Sequence, residues 1–272
     1  MYIPKPLEDK VTIPRLKKLK QQGEKFACLT AYDYSFAHLL EDCGVEVVLV
    51  GDSLGMVIQG HDTTIPVTLD EIAYHGRAVA AGLSNAMLMV DMPFGTLNST
   101  QQALDNASEL LKRTQAQVVK LEGGETQLKT VQTLARFGIA SCAHLGLQPQ
   151  MVNKMGGYRV QGKAKSDAEQ MLATARDLQQ AGTDMLLLEC VPATLAAEIT
   201  AALEIPVIGI GAGPGVDGQI LVLHDVLNVT AGKKPKFSKN FMQDESSIHS
   251  AISRYVQEVK GGQFPDETHC FS

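Results

Sequence analysis

VEVVLVGDS (45–53) places a nearly unbroken apolar, β-branched run directly before Asp52 and Ser53. Such a run is typical of a parallel strand that is covered on both faces. After a loop, the helix-like stretch TLDEIAYHGRAVAAG (68–82) follows. The pattern then repeats, with the apolar run AMLMVDM (86–92) before TQQALDNASELLKRT (100–114). These segments predict consecutive strand–helix units.

The same alternation extends along most of the chain and gives seven clear units and a weaker eighth near 217–230. The helix-like stretch assigned to the seventh unit is DGQILVLHDVLN (217–228). Alternating units of this kind form either a doubly wound sheet or a (βα)₈ barrel. A unit count near eight, with no linker dividing the chain, favours the α/β barrel. The predicted strands are FACLT (26–30), VEVVLVGDS (45–53), AMLMVDM (86–92), VVKLEGG (118–124), IASCAHLG (139–146), DMLLLEC (184–190) and IPVIGIGAG (205–213).

The length of 272 residues suits one barrel, which typically needs about 250 residues. We therefore predict a single barrel domain over 1–272. Residues 1–25 form an N-terminal extension, and 231–272 form a C-terminal extension with a helix around ESSIHSAISRYVQEVK (245–260).

Composition and charge exclude several classes of function. The net charge of −6 argues against a nucleic-acid partner, and the short basic cluster of Lys233, Lys234, Lys236 and Lys239 is interpreted as a solvated loop. The start MYIPKPLEDKVTIPRLKKLK (1–20) has no long apolar stretch, so we predict no secretory signal. The chain contains no apolar run of 18 residues, so we predict no membrane span. Five cysteines without a CxxC pair predict reduced thiols in a cytoplasmic protein.

Ionisable residues close five of the predicted strands at a similar level. Active sites of (βα)₈ enzymes lie at the carboxyl ends of the strands. Side chains two positions apart on a strand share a face, so Lys120 and Glu122 are both expected to point into the barrel. The strand-end residues are Asp52, Asp91, Lys120, Glu122, His144 and Glu189.

Each of these residues taken alone has a simpler interpretation. A single Asp after a strand is more often a turn former or helix cap, and a single His is more often structural. Their coincidence at one end of a barrel instead favours a site. Because unpaired buried carboxylates are costly, the cluster predicts a bound cation. Oxygen ligands favour Mg²⁺ over zinc.

Several longer motifs resemble those of the ketopantoate hydroxymethyltransferase family, in order and over almost the whole chain. They are TAYDYSFA (30–37), VGDSLGMVIQGHDTT (50–64), VKLEGG (119–124), HLGLQPQ (144–150), GGYRVQGK (156–163), LECVP (188–192), IPVIGIGAG (205–213), DGQILVLHD (217–225) and PKFSKNF (235–241). The loop GTLNS (95–99) departs from the family pattern.

The resemblance implies a (βα)₈ barrel of the phosphoenolpyruvate mutase/isocitrate lyase superfamily. It also implies the first committed step of pantothenate biosynthesis, in which 3-methyl-2-oxobutanoate takes a hydroxymethyl group from 5,10-methylenetetrahydrofolate to give 2-dehydropantoate. Mg²⁺ and a homodecamer are implied as well. The alternatives are a Mg²⁺-dependent 2-oxo acid lyase of the same superfamily, which carboxylates alone do not separate, and a catalytically silent, ring-forming protein.

The resemblance also implies a role for each strand-end residue. Asp52 and Asp91 would ligate the metal and so help to bind the substrate. Glu122 would complete the metal site, directly or through water. Ser53 and Lys120 would hold the 2-oxo acid, with His144 close to it, and Glu189 would be the general base.

Overall fold

The structure is a computed structural model that describes residues 4–232 and 234–272. Lys233 of the basic cluster and the first three residues of the N-terminal extension lie outside the described residues. Eight parallel strands pair in chain order, and β1 pairs with β8 to close a barrel. The strands are β1 (Phe26–Thr30), β2 (Val47–Val50), β3 (Met87–Asp91), β4 (Val118–Glu122), β5 (Ser141–Gly146), β6 (Met185–Glu189), β7 (Val207–Ile210) and β8 (Gly218–Leu221).

Helices alternate with the strands, so the predicted (βα)₈ architecture is confirmed. Within the described ranges they are α1 (Ile13–Gln22), α2 (Tyr34–Asp42), α3 (Leu54–Val57), α4 (Leu69–Ala81), α5 (Thr100–Thr114), α6 (Leu128–Arg136), α7 (Val152–Met155), α8 (Lys165–Ala181), α9 (Ala193–Ala202), α10 (Leu223–Val226) and α11 (Ile248–Lys260). Short 3₁₀ turns lie at Gly124–Gln127, Pro149–Met151 and Glu267–His269. Several helices begin where the sequence supplies a cap. At α4, for example, Thr68 and Glu71 form a reciprocal capping box.

One predicted unit is wrong. The stretch 217–228, assigned to a helix after the seventh strand, instead contains β8 and the short helix α10. No helix lies between β7 and β8, which are joined by the described loop 211–217. The four residues of β8 are fully buried and pair with β1 on one side and β7 on the other. Pairing on both sides overrides the helix-like spacing of their apolar residues. The eighth strand itself falls inside the region where the sequence placed it.

The described parts of both extensions pack against the barrel. In α1, Lys20 donates to Asp217 next to β8 at 2.8 Å. In α11, the buried Tyr255 hydroxyl lies 2.9 Å from the carbonyl oxygen of Cys28 and 2.8 Å from that of Gln219. The helix predicted within 245–260 is therefore confirmed as Ile248–Lys260.

Two further sequence predictions bear on the fold. Across the described ranges, the helices are too short or too polar to cross a bilayer. All five cysteines are described and unpaired, and four of them are buried.

Candidate active site

Five neighbouring strands, β2 to β6, bring their strand-end residues together at one mouth of the barrel. Asp91, Glu122 and Glu189 are the last residues of their strands, and Asp52 lies two residues beyond β2. The strand register sets Asp91 beside Lys120 and Glu122 beside His144. All of these except Glu189 are buried, and the Glu189 side chain is 14% exposed.

Asp91 is the centre of the polar contacts in this cluster. Its Oδ1 lies 2.5 Å from Lys120 Nζ, and its Oδ2 accepts a 2.9 Å hydrogen bond from the backbone N–H of Asp52. Lys120 Nζ is also 4.0 Å from Glu122 Oε1, as the shared face of these two residues predicts. One lysine thus stands among several acids.

The imbalance of charge shifts the ionisation of the cluster. Burial and the charge of Asp91 raise the pKa of Asp52 well above its ordinary value. Burial disfavours the charged form of Lys120, but Asp91, Glu122 and Asp52 outweigh it and raise the pKa of Lys120. Lys120 therefore remains a cation while the acids compete for protons.

Asp52 is not a helix cap in this structure, although a lone Asp after a strand often is. The N-terminal cap position of α3 is Ser53, and its side chain makes no capping hydrogen bond. The Asp52 side chain instead accepts from Gln150. Ser53 Oγ lies 2.8 Å from the hydroxyl oxygen of Tyr32, which is itself buried.

His144 lies between two of the acids. Its Nδ1 is 3.5 Å from Glu122 Oε1, and its Nε2 is 3.4 Å from Glu189 Oε2. Burial, followed by the charge of Lys120, lowers the pKa of His144 well below its ordinary value. The imidazole is therefore neutral near pH 7.

Glu189 lies near one ring nitrogen of His144, and Glu122 lies near the other. Burial, reinforced by the charge of Glu122, raises the pKa of Glu189 to about 8. Its partial exposure leaves a route for protons to solvent. The next residue, Cys190, has a left-handed backbone with φ of 50°, and its carbonyl accepts from the backbone N–H of Gln161. The chain therefore turns sharply after Glu189, where loop 156–163 is attached.

Gln150 belongs to the cluster, although the sequence analysis gave it no role. It is 8% exposed and lies in the 3₁₀ turn after β5. Its side-chain Nε2 donates to Asp52 Oδ2 at 2.8 Å and to the Met92 carbonyl at 3.0 Å. Its backbone N–H donates to Glu122 Oε2 at 3.1 Å. The only available signal was its place within the motif HLGLQPQ, because a glutamine in a turn carries no periodic pattern.

Tyr158 is a second residue that the sequence analysis did not single out. It lies in loop 156–163, and its hydroxyl is 3.7 Å from Met56 Sδ of α3. Burial raises the pKa of Tyr158, and the charges of Glu189, Asp52 and Glu122 add to the effect. The loop therefore carries a phenol over the acidic mouth of the barrel.

The donor set fits a hard cation that keeps part of its own water shell. Glu122 Oε1 is buried without a hydrogen-bond partner, so the site contains an acceptor that the protein leaves unsatisfied. Among residues 4–232 and 234–272, no three His, Cys, Asp or Glu groups are assembled as a ready metal cage. Mg²⁺ does not need such a cage, since it commonly binds through one or two carboxylates together with water and substrate oxygens.

The raised carboxylate pKa values predict how the metal-free protein responds to pH. Burial raises the pKa of Glu122 to about 7 and that of Glu189 to about 8, from an ordinary value of 4.5. The folded protein then binds more protons than the unfolded chain, so its stability falls as pH rises through this window. His144, with its lowered pKa, acts in the opposite sense only below about pH 6.5.

Thermal melting in the presence of a chelator tests this expectation most cleanly between pH 6.5 and 8.0. The midpoint should fall over this interval, and it should fall less in Glu189→Gln. A midpoint that stays level or rises would contradict the proposed ionisation of the cluster.

A closed parallel barrel with buried acids and a lysine at the carboxyl ends of its strands defines a (βα)₈-barrel enzyme. Comparison with known proteins places it more narrowly. The model of the ketopantoate hydroxymethyltransferase family matches residues 10–267, and the chain belongs to this family. It is 56% identical to the 3-methyl-2-oxobutanoate hydroxymethyltransferase of Alkalilimnicola ehrlichii, over 96% of this chain and 94% of the relative. It is 54% identical to the enzyme of the same name from Marinobacter nauticus, over 96% of this chain and 98% of the relative.

The family establishes the general activity. The chain is an enzyme of the hydroxymethyltransferase kind, and the names of its relatives indicate the first step of pantothenate biosynthesis. The lyase alternative has less support.

Solved structures of more distant proteins share the fold. A phosphonopyruvate hydrolase aligns with a TM-score of 0.59 at 13% identity, over 77% of this chain and 80% of that one. A 2,3-dimethylmalate lyase aligns with a TM-score of 0.56 at 15% identity, over 77% of each chain. The latter is described as a member of the phosphoenolpyruvate mutase/isocitrate lyase superfamily, and the alignments show that this chain shares the (βα)₈-barrel fold of both proteins.

Proposed function

We propose that the chain transfers a hydroxymethyl group from 5,10-methylenetetrahydrofolate to 3-methyl-2-oxobutanoate, giving 2-dehydropantoate, with Mg²⁺ as its metal. The observation that carries the proposal is the cluster of strand-end carboxylates at the barrel mouth, two of which, Asp91 and Glu122, lie within 4.0 Å of the buried Lys120. Such a group needs further positive charge, and a 2-oxo acid chelated to a cation supplies both a ligand and a reactant.

Asp52 and Asp91 would hold the metal, and the buried Oε1 of Glu122 would reach it directly or through water. When bound, Mg²⁺ acts as a Lewis acid that stabilises negative charge on the oxygens of a 2-oxo acid. The phosphonopyruvate hydrolase of similar fold was solved in complex with oxalate, a small dicarboxylate, and Mg²⁺.

The remaining side chains would bind and orient the substrate. Lys120 stays charged beside Asp91 and so offers a fixed positive group to the substrate oxygens. Ser53, held at 2.8 Å by the Tyr32 hydroxyl, would donate to the carboxylate. His144 is neutral and buried next to Glu189, so it would contact the substrate without adding charge.

Glu189 would remove the proton from C3 of the 2-oxo acid. A base that works near neutral pH needs a pKa close to that pH, and the value of about 8 meets this requirement. Water would cleave both C–N bonds of the methylene bridge, so that tetrahydrofolate leaves and the one-carbon unit is freed at the oxidation level of formaldehyde. The carbon nucleophile would then add to this carbon, and its oxygen, which came from water, would take a proton back from Glu189 to become the hydroxyl group.

Several broader features are also proposed, the decamer and the folate on the family resemblance and the others on the sequence. They are a single barrel domain with terminal extensions, a homo-oligomer that is a decamer, and a cytoplasmic location. The partners would be the small 2-oxo acid and the folate, without nucleic acid or membrane.

Product analysis tests the proposed reaction. Purified protein, 3-methyl-2-oxobutanoate and Mg²⁺ should yield 2-dehydropantoate only when 5,10-methylenetetrahydrofolate is present, and a chelator should stop the reaction. Cleavage of a 2-oxo acid without folate, together with no folate-dependent product, would support a lyase and overturn the proposal.

A further inference from the structure

We propose that Gln150 is a positioning residue that aims the carboxylates of Asp52 and Glu122 at the cation. The inference rests on the proposed function, because it concerns the metal of that same site. It adds a residue outside the strand-end set, supplied by the turn that follows β5.

Gln150 joins the ends of three different strands. Its side-chain amide reaches Asp52 beyond β2 and the Met92 carbonyl beyond β3, and its backbone N–H reaches Glu122 at the end of β4. All three distances lie between 2.8 and 3.1 Å, within the ordinary range of N–H···O bonds. The Met92 contact matters because Met92 directly follows Asp91. Gln150 therefore holds the side chains of Asp52 and Glu122 and the backbone that follows Asp91.

Gln150 bonds only one oxygen of each acid, and the other oxygen of Glu122 has Lys120 Nζ and His144 Nδ1 at 4.0 and 3.5 Å but no hydrogen bond. Gln150 occupies Oδ2 of Asp52 and Oε2 of Glu122. Glu122 Oε1 is buried without a hydrogen-bond partner, and within the described chain no protein donor is found for Asp52 Oδ1. A carboxylate with one oxygen held by a hydrogen bond and the other without one is oriented for monodentate binding, which is how Mg²⁺ commonly uses acids.

The amide also suits the charge of its surroundings. A lysine at this position would neutralise Asp52 and compete with the cation, whereas an acid would add a repulsive charge. The neutral NH₂ group donates two hydrogen bonds and leaves the charge of the cluster unchanged. Partners of this kind, which hold the ligands rather than the metal, contribute about ten- to a hundredfold to metal affinity.

Magnesium titration by calorimetry tests the proposal on Gln150→Leu, which removes both side-chain donors and retains the backbone bond to Glu122. We expect the Kd for Mg²⁺ to rise about ten- to a hundredfold. Gln150→Asn keeps the amide on an arm one methylene shorter, which draws it away from Asp52 and the Met92 carbonyl, so its Kd should also rise, by less than that of Gln150→Leu. Circular dichroism and thermal melting establish that each variant is folded.

Gln148→Leu is the matched control. Gln148 lies two residues away, is equally buried at 8% and, within the described chain, makes no hydrogen bond to Asp52 or Glu122. Its variant should bind Mg²⁺ as the wild type does.

The possible results separate the two proposals. A folded Gln150→Leu protein with wild-type Kd overturns the role of Gln150 while the proposed function stands. If Gln150→Leu does not fold, an unchanged Kd in Gln150→Asn overturns it instead. A wild-type protein that binds no Mg²⁺, with or without 3-methyl-2-oxobutanoate, overturns the proposed function itself.

Discussion

Replacing Glu189 by glutamine is expected to slow the exchange of the C3 proton of 3-methyl-2-oxobutanoate with deuterated water by about 10²- to 10⁴-fold. Glutamine keeps the shape of the side chain but cannot accept the proton. Because His144 lies between Glu189 and Glu122, and Glu189 is not one of the predicted metal ligands, Mg²⁺ and substrate affinity should change little. Exchange is followed by proton NMR without folate, and binding by calorimetry.

The pH profile of exchange gives an independent check. Only the deprotonated form of Glu189 is a base, so exchange in the wild type should rise with pH and level off near or below pH 8, since a bound cation favours the carboxylate. Glu24→Gln is the matched control. Glu24 is an exposed acid two residues before β1, so it lies at the amino ends of the strands and not at the carboxyl ends. Undiminished exchange in Glu189→Gln would identify another residue as the base.

Replacing Asp91 by alanine should abolish measurable Mg²⁺ binding and the transfer reaction together. Asp91 is both a predicted ligand and the acceptor for Lys120 and for the Asp52 backbone, so its removal disturbs three groups at once. We expect the Mg²⁺ Kd to rise by more than about a hundredfold, beyond the effect of losing an outer partner.

The corresponding change at Asp52 distinguishes the loss of a metal ligand from the loss of contacts that stabilise the fold. Asp52→Ala also removes a predicted ligand, yet it leaves the Asp91–Lys120 pair intact, so it should weaken Mg²⁺ binding with a smaller effect on melting temperature. Asp177→Ala, at an exposed position of α8, controls for loss of charge. Normal Mg²⁺ affinity in either ligand variant would refute the assignment of that acid.

Much of this architecture could be predicted from the sequence because parallel strands buried on both faces leave a strong apolar signal. The run at 26–30 matches β1 in both bounds, and 118–122 and 185–189 lie inside their predicted runs. The alternation rule also placed Lys120 and Glu122 on one face, as their 4.0 Å separation confirms. The strand-end acids were therefore predictable as a group, whereas their individual roles remain predictions.

The parts that were missed depend on contacts that are distant in sequence. The sequence of the strand GQIL (218–221) is equally compatible with a helix, and its conformation is decided by pairing with β1 and β7. Gln150 reaches Asp52 across 98 positions of the chain. Tyr158 approaches the acids in a loop, 156–163, that is hydrogen-bonded to Cys190, the residue after Glu189. No local periodicity predicts such contacts.

The crowding of acids around Lys120 has a consequence for calorimetry. Near pH 7 the metal-free cluster holds protons, because burial raises the pKa of Glu122 to about 7 and that of Glu189 to about 8. A cation that binds would displace some of these protons into the solvent. The observed heat of association should then depend linearly on the ionisation enthalpy of the buffer, and the slope would count the protons released per ion.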